Sequence, residues 1–502
     1  MSKSIIIIGA GIAGLSAGCY GQMNGYQTRI FELHDKPGGL CTAWTRKGYT
    51  FDGCIQWLVG TKAGTSMHRI WQELGAAQVR RFIDNDVYQQ VVGSDGRVLS
   101  LYTDIDRLER HMKELSPADA GVIEEFCNNT RRFTRFVEIM DNPDGPSGLL
   151  DGIRLGLRMI PFMGILGKYS KTSMEEFSAR FSDPLLRHAL HMAVDALNFP
   201  AVTLMMILAF MHNRDGGYPV GGSLEFARAI ERRYLDLGGI IHYRSHVETI
   251  MVENDRAVGV RLVDGSEHRA DIVISAADGH ATIFDMLKGR YVSDKVRDCY
   301  ENMPVYPSWI QVSLGVARDL SDQAPVVGYV LEETIDIAGE KVAHISFRHF
   351  CQDPTMAPPG KSAVITTFMS DHAYWKELSK DPERYDSEKK DIAVKVIAQL
   401  EHRLPGITEQ VEVVDVSTPM TVERYTGNWQ GSAEGWMLTT DTMQKMVMGR
   451  GMDKTLPGLK NFFMIGQWVE PGGGVPGVAN SGRNVIRMIC KQDAKAFQTY
   501  TP

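Results

Sequence analysis

The chain opens on four consecutive isoleucines, Ile5–Ile8, and an unbroken β-branched run predicts a strand buried on both faces. Gly9, Gly11 and Gly14 follow, after which Ile12, Leu15, Cys19 and Met23 recur at helical spacing until Gly25 ends the helix. A second strand over Gln27–Phe31 closes on Glu32. Leu224–Leu237 predicts a helix with Ser223 as its N-cap. Strands at Ile240–Tyr243, Val247–Glu253 and Ala257–Leu262 come next, then a turn at Asp264-Gly265 and a strand at Asp271–Ser275. Trp309–Gly315, Ala343–Phe347 and Ala363–Met369 read as strands, and Ser387–Arg403 as a helix stopped by Pro405-Gly406. At the far end Asn461–Gly466 predicts a short strand, Pro471–Gly477 a glycine-rich loop and Val478–Cys490 a helix.

The first of these groups is a βαβ unit with G-x-G-x-x-G at its turn, and each part has a physical task. Gly9 permits the tight turn, Gly11 lets the backbone approach a pyrophosphate, and Gly14 lets helix and strand pack closely. The helix N-terminus offers N–H groups and the positive end of its dipole to phosphate. Glu32, about twenty residues on, suits the two hydroxyls of an adenosine ribose. On these residues alone the unit binds a dinucleotide, and which one stays open.

Composition narrows the class further. Of 502 residues, 43% are apolar and 23% charged, enough for a sizeable core. The net charge of −7 contains no block of like charges, so nothing points to nucleic acid. The seven cysteines are scattered and never spaced C-x-x-C, which argues against a disulfide framework or a metal site. It fits buried thiols in a reducing compartment. Ala196–Met211, the longest uncharged apolar run, contains Pro200 and falls short of the roughly 20 residues that span a bilayer. No signal-peptide pattern precedes the first strand. The expectation is a cytoplasmic protein, with peripheral membrane contact left open.

Residues 104–217 form a long insert whose second half mixes Leu149, Leu150, Ile153, Leu157, Ile160 and Ile165 with Arg154, Arg158 and Lys168 around Pro161. Two readings stay open. The stretch lies on a membrane surface with its cations among head groups, or it roofs a substrate tunnel with its cations turned outward. Either implies an apolar substrate.

Glu32 is followed by Gly38-Gly39 and then by Phe51-Asp52-Gly53; Tyr218-Pro219-Val220-Gly221-Gly222 opens a middle block. Pro471-Gly472-Gly473-Gly474-Val475-Pro476-Gly477-Val478 and Ser481-Gly482-Arg483 make a C-terminal one. Together these blocks resemble the FAD-dependent amine oxidase and phytoene desaturase superfamily, and within it the phytoene desaturase, carotenoid isomerase and retinol saturase group. Leu40-Cys41 stands where bacterial desaturases usually have arginine, and is more similar to the retinol saturase branch.

The resemblance implies an α/β fold in which a Rossmann-like FAD-binding domain (1–103, 218–290 and 455–502) is interleaved with a mixed-sheet and helical substrate domain. The latter takes 104–217 and 291–454, with an apolar lid around 145–215. By the same resemblance Gly9, Gly11, Ala13, Gly14 and Glu32 hold the ADP half of FAD, and Val247 clamps the adenine. Gly38, Gly39, Leu40 and Trp57 lie towards the flavin, Gly466, Gln467 and Glu470 along the ribityl chain, and Gly477 and Val478 at the pyrimidine ring. Gln467 departs from the aspartate common there.

Glu434, where the family usually has an aromatic, is the candidate acid or base, a solvated loop acid being the other reading. Arg424 and Tyr425 bind a polar head group or form a surface turn. The implied activity is desaturation, saturation or isomerisation of C–C double bonds in a long apolar polyene- or isoprenoid-like lipid. Two alternatives keep the fold: an amine oxidase-like flavoenzyme, and a non-catalytic prenyl-lipid escort of the Rab GDP-dissociation inhibitor kind. No second dinucleotide unit is present in the sequence, so an external electron acceptor or donor (a quinone, oxygen or a separate reductase) completes the expectation.

Overall fold

Ile5 and Ile7 pack on one face of a five-stranded sheet and Ile6 and Ile8 on the other, which is why the opening run has no polar position. In the computed structural model, which describes residues 2–78, 80–141, 149–194, 198–447, 451–470, 472 and 474–502, this strand is central. The sheet order is Ile240–His242, Gln27–Phe31, Ser4–Ile8, Ile272–Ser275, Phe462–Met464, all parallel. Three helices, Ile12–Met23, Gly222–Asp236 and Gly474–Gln492, cover the Ile5/Ile7 face. A meander of Val247–Glu253, Arg256–Leu262 and Glu267–Arg269 covers the other.

Segments far apart in sequence therefore meet at one sheet, and small residues set how closely. A Cβ at Gly14 would stand 2.0 Å from the Gly9 carbonyl oxygen, and one at Gly482 would stand 2.4 Å from that of Ala13. The first and last helices thus cross backbone to backbone, tied by the Ser16 hydroxyl donating to the Ala479 carbonyl at 2.6 Å.

A second, seven-stranded sheet runs Val411–Ser417, Ser308–Val316, Ser362–Ser370, Glu340–His349, Val326–Ile337, Val87–Val92, Val98–Tyr102. Its strands pair antiparallel except Val326–Ile337 with Val87–Val92, so it is mixed. Helix Pro382–Arg403 buries Ile392, Val396 and Leu400 against Ile310, Val312 and Leu314 of this sheet. A helical layer lies beyond its other end: Ile105–Leu115, Ala120–Met140, Leu149–Tyr169, Met174–Ser178, Pro184–Met192 and Val202–His212 share one apolar cluster.

Several boundaries differ from expectation, each for a local reason. Ser223 is not an N-cap. The helix starts at Gly222 behind Gly221, whose φ of +93° suits glycine, while the Ser223 hydroxyl is committed to Asp52 Oδ1 and accepts from the Ile55 N–H at 2.7 Å. The last helix begins at Gly474, so Gly474–Gly477 are its first turn rather than loop, and expectations for Pro471 and Gly473 lie outside the described residues.

Pro161 sits inside the continuous helix Leu149–Tyr169. Leu157, whose carbonyl loses its partner there, is 62% exposed, so water can supply the missing bond. The hairpin Val87–Tyr102, expected within the FAD-binding segment, forms the edge of the seven-stranded sheet. All seven cysteines are thiols rather than halves of disulfides.

Candidate functional site

The two glycine motifs of the N-terminal segment touch. The Gly38 N–H donates to the Ala10 carbonyl at 2.9 Å, Gly11 and Gly38 form a parallel bridge, and a Cβ on Gly39 would lie 3.5 Å from Gly11 Cα. Gly9 turns the chain at φ +96° under the Ala276 backbone, and Gly38 does so at +111°. Gly11 caps the first helix without any side-chain hydrogen bond, leaving that end free for an anion.

Glu32 stands at the end of its strand, 7% exposed. Its carboxylate accepts from the Ala10 N–H at 2.5 Å and the His34 N–H at 2.8 Å, while burial pushes its pKa up. The Glu32 carbonyl accepts from the Ser245 N–H at 2.8 Å, which brings the chain leading to buried Val247 alongside.

The C-terminal segment completes the arrangement. Gly466, at φ +96°, lies beside Ala13 (a Cβ there would be 3.7 Å from Ala13 Cβ), and its N–H donates to Ser481 Oγ at 3.2 Å. Gln467 follows, half-buried, with its backbone 3.1 Å from where a Gly435 Cβ would stand. Glu470 is held by Lys454, whose ammonium also reaches Ser481 Oγ at 3.2 Å. Among the described residues, a Cβ added to Gly477 meets nothing within 4 Å and the buried Asn480 Oδ1 has no partner, while Val478 is half-buried.

Open space and an orphan polar atom on the last helix, a bare N-cap on the first and a desolvated acid at the strand end are the features a dinucleotide fills. The residues fit FAD. Leu40 is half-buried in the Gly38-Gly39 turn, its carbonyl accepting from Thr42 N–H at 2.9 Å. Trp57 stands apart: it lines a small polar cleft with Asp84, Asn85, Tyr88, Met211 and Arg348, none from the nucleotide motifs.

Glu434 is enclosed by protein yet keeps some accessible surface, no side chain pairs with it among the described residues, and burial raises its pKa. Its neighbour Gly435 packs on Gln467 and its carbonyl accepts from the Tyr306 N–H at 2.7 Å, so this stretch of chain lies against the C-terminal segment. Tyr425 is 45% exposed at the end of helix Pro419–Thr426 and stacks edge-on against His34 at 5.0 Å.

Two groups escaped the sequence reading. Lys454 carries no motif of its own. Asp278 is 3% exposed and ties this stretch to the sheet, accepting from the Ala281 N–H at 2.8 Å and from the Trp429 N–H at 2.9 Å. Around it His280 stacks on Trp429 at 4.8 Å, and Tyr300 packs on Trp429, Trp436 and Trp468. The signal available was an aspartate three residues past a predicted strand.

Burial pushes Asp278 up to about 6, above the 3.8 of a free side chain, with backbone N–H bonds opposing. Since the folded state then holds the proton more tightly, the contribution of Asp278 to stability is greatest below pH 4 and is lost as pH rises through 6. Asp278→Asn is expected to narrow its stability gap to wild type by about 3 kcal/mol over that window. Denaturant melts at pH 4 and pH 7 measure it, and parallel pH dependence of the two proteins would refute it.

A glycine turn, an uncapped helix end and a buried acid at the strand end fit the dinucleotide site of an FAD-dependent oxidoreductase. The chain belongs to the family described as flavin containing amine oxidoreductase, which matches residues 12–489. A chloroplastic prolycopene isomerase of Arabidopsis thaliana is 25% identical over 506 residues, covering 95% of this chain and 81% of its own. A neurosporene-forming phytoene desaturase of Rhodobacter capsulatus is 26% identical over 525 residues, covering 96% of this chain and 93% of its own. Among solved structures, an oxidoreductase from Methanosarcina mazei shares the fold with a TM-score of 0.60 at 18% identity, covering 96% of this chain and 100% of its own.

Proposed function

We propose that this flavoenzyme desaturates, saturates or isomerises C–C double bonds in a long apolar polyene- or isoprenoid-like lipid. The observation that carries the reading is the helical layer, whose helix Leu149–Tyr169 buries Phe162, Ile165 and Tyr169 inward and leaves an apolar face outward. Leu150, Ile153, Leu157, Ile160 and Met163 on that face are 51–73% exposed. Relatives named for polyene isomerisation and desaturation, similar along nearly the whole chain, support the same substrate class.

When bound, FAD accepts or donates hydride. The chain positions it and shields it. Gly9, Gly11, Ala13 and Gly14 leave room for the pyrophosphate at the helix N-terminus, Glu32 takes the ribose hydroxyls, and Val247 backs the adenine. Gly38, Gly39 and Leu40 border the flavin end, whereas Trp57 lines its separate cleft. Gly466, Gln467 and the Lys454-held Glu470 follow the ribityl chain, with Gly477 and Val478 at the pyrimidine. Glu434 holds or moves a proton at the substrate carbon. The FAD-binding part comprises the five-stranded sheet and its meander, its first segment ending before Val87. The seven-stranded sheet and helices of 104–217 and 291–454 form the substrate part, and electrons enter or leave through an external acceptor or donor.

Anaerobic incubation of oxidised and reduced holoenzyme with polyene lipids, followed by mass analysis, tests the reading. A change of two hydrogens or an isomer shift is expected. Turnover of polar amines without turnover of lipids refutes it.

The exposed face also suits a membrane surface, with Arg154 79% exposed beside it, though no helix among the described residues is long and apolar enough to cross a membrane. Leu157→Glu is expected to cut binding to vesicles containing anionic lipid by about tenfold or more, since burying one leucine is worth about 2 kcal/mol. Co-sedimentation unaffected by the substitution would exclude this face.

A further inference from the structure

Cys41 and Cys54 flank one hairpin. Ala43–Arg46 pairs antiparallel with Tyr49–Asp52, Ala43 opposite Asp52, and the Gly53 N–H donates to the Thr42 carbonyl at 2.9 Å. Continued past the strand ends, this register puts Thr42 opposite Gly53 and then Cys41 opposite Cys54. Directly opposed residues of antiparallel strands have Cα atoms about 4.5–5.5 Å apart, within the span that a disulfide bridges. The two thiols are close enough to interact, the Cys54 thiol raising the pKa of Cys41, and both are free. They differ in access: Cys41 is 3% exposed and donates to the Ser223 carbonyl at 3.5 Å, whereas Cys54 is partly exposed.

We propose that Cys41 and Cys54 form a redox-active dithiol that small-molecule disulfides oxidise to an intramolecular disulfide. Cys54, the reachable thiol, loses its proton and attacks one sulfur of the disulfide RSSR. One thiolate leaves and takes up that proton, and a mixed disulfide remains on Cys54. Cys41 Sγ then attacks Cys54 Sγ, the bond to the second RS group breaks, and the Cys41 proton passes to it. Two protein thiols and RSSR become one protein disulfide and two RSH. The Cys54 thiol, burial and the Asp52 carboxylate hold the Cys41 thiol well above its ordinary range, which keeps Cys41 out of the first step.

The place gives the pair its significance. The Cys41 N–H donates to the Gly38 carbonyl at 3.0 Å, and the Gly38 N–H to that of Ala10 at 2.9 Å. Oxidation therefore fastens the turn beside the dinucleotide loop covalently to the segment after Asp52. The exchange involves no lipid substrate.

The test incubates FAD-loaded protein with oxidised glutathione, blocks remaining thiols with an alkylating reagent and records intact mass and peptide map. Wild type is expected to lose two hydrogens, carry no glutathione and yield a cross-linked peptide joining Cys41 to Cys54, reversibly with reductant. Cys41→Ser is expected to stall with one glutathione on Cys54, and Cys54→Ser to leave Cys41 unmodified. Wild type that keeps both thiols free, remains glutathionylated at Cys54, or cross-links through another cysteine overturns the proposal. The wild-type map decides the matter even where a serine variant fails to fold.

Discussion

Gly38→Ala protein is expected to purify colourless, with its affinity for FAD lowered about a hundredfold or more. Two independent penalties meet at this position. Its φ of +111° is a conformation that L-residues rarely adopt, which costs about 1–3 kcal/mol. The new methyl group would also stand 2.2 Å from the Cys41 carbonyl oxygen, a backbone atom, and 3.1 Å from Ala227 Cβ in the helix behind. Relief requires the turn to swing away from Ala227, and the turn is bonded to Ala10 and bridged to Gly11, the position proposed for the pyrophosphate.

A loss of about 2.7 kcal/mol in the bound state corresponds to the hundredfold change. Gly25→Ala is the control, because that glycine has φ +75° but nothing within 4 Å of its added Cβ. It should lose about 1 kcal/mol of stability and keep its flavin. Flavin-to-protein absorbance ratios and reconstitution titrations measure both, and a yellow Gly38→Ala protein with wild-type affinity would remove the Gly38-Gly39 turn from the site.

The opposite outcomes at Gly25 and Gly38 also mark what the sequence could reveal. Glycines at fixed spacing after a β-branched run announce a backbone approach, and the Gly9–Gly14 loop is legible for that reason, whereas the Gly38-Gly39 turn is legible through its resemblance to a known family. Gly482 was legible only as part of a familiar string, since its contact is with Ala13, 469 positions away by the numbering. Strand Val326–Ile337 escaped because a strand half buried and half exposed along its length, Val326–Tyr329 inside and Glu332–Thr334 outside, has no steady alternation. The hairpin Val87–Tyr102 joins the seven-stranded sheet, and its own sequence does not record that, because a local pattern predicts a strand but not which sheet it joins. Lys454 and Asp278 matter through partners brought together by the fold, Glu470 and Ser481 for one and Trp429 for the other. No periodicity records such pairs.

Glu434→Gln is expected to lower turnover by about 10²–10⁴, the usual worth of a positioned acid or base, while FAD content and the flavin spectrum stay unchanged. The same substitution should stabilise the fold. Burial raises the pKa of Glu434 above 4.5, and no partner among the described residues offsets the cost of its charge. Its folded form therefore binds a proton more tightly than the unfolded chain does, and stability falls as pH rises from 4.5 through the raised value. Glutamine has the same shape and no charge to desolvate, so the melting temperature of the variant should exceed that of wild type at neutral pH and converge on it in acid.

Activity and stability moving in opposite directions distinguish a functional carboxylate, held at a cost to the fold, from a solvated loop acid, for which neither quantity would change. Glu434→Asp, which keeps the charge but withdraws it, should lose turnover without gaining stability. Wild-type turnover in Glu434→Gln would send the search for the proton-handling group to the other side chains along the Gly435–Gln467 wall.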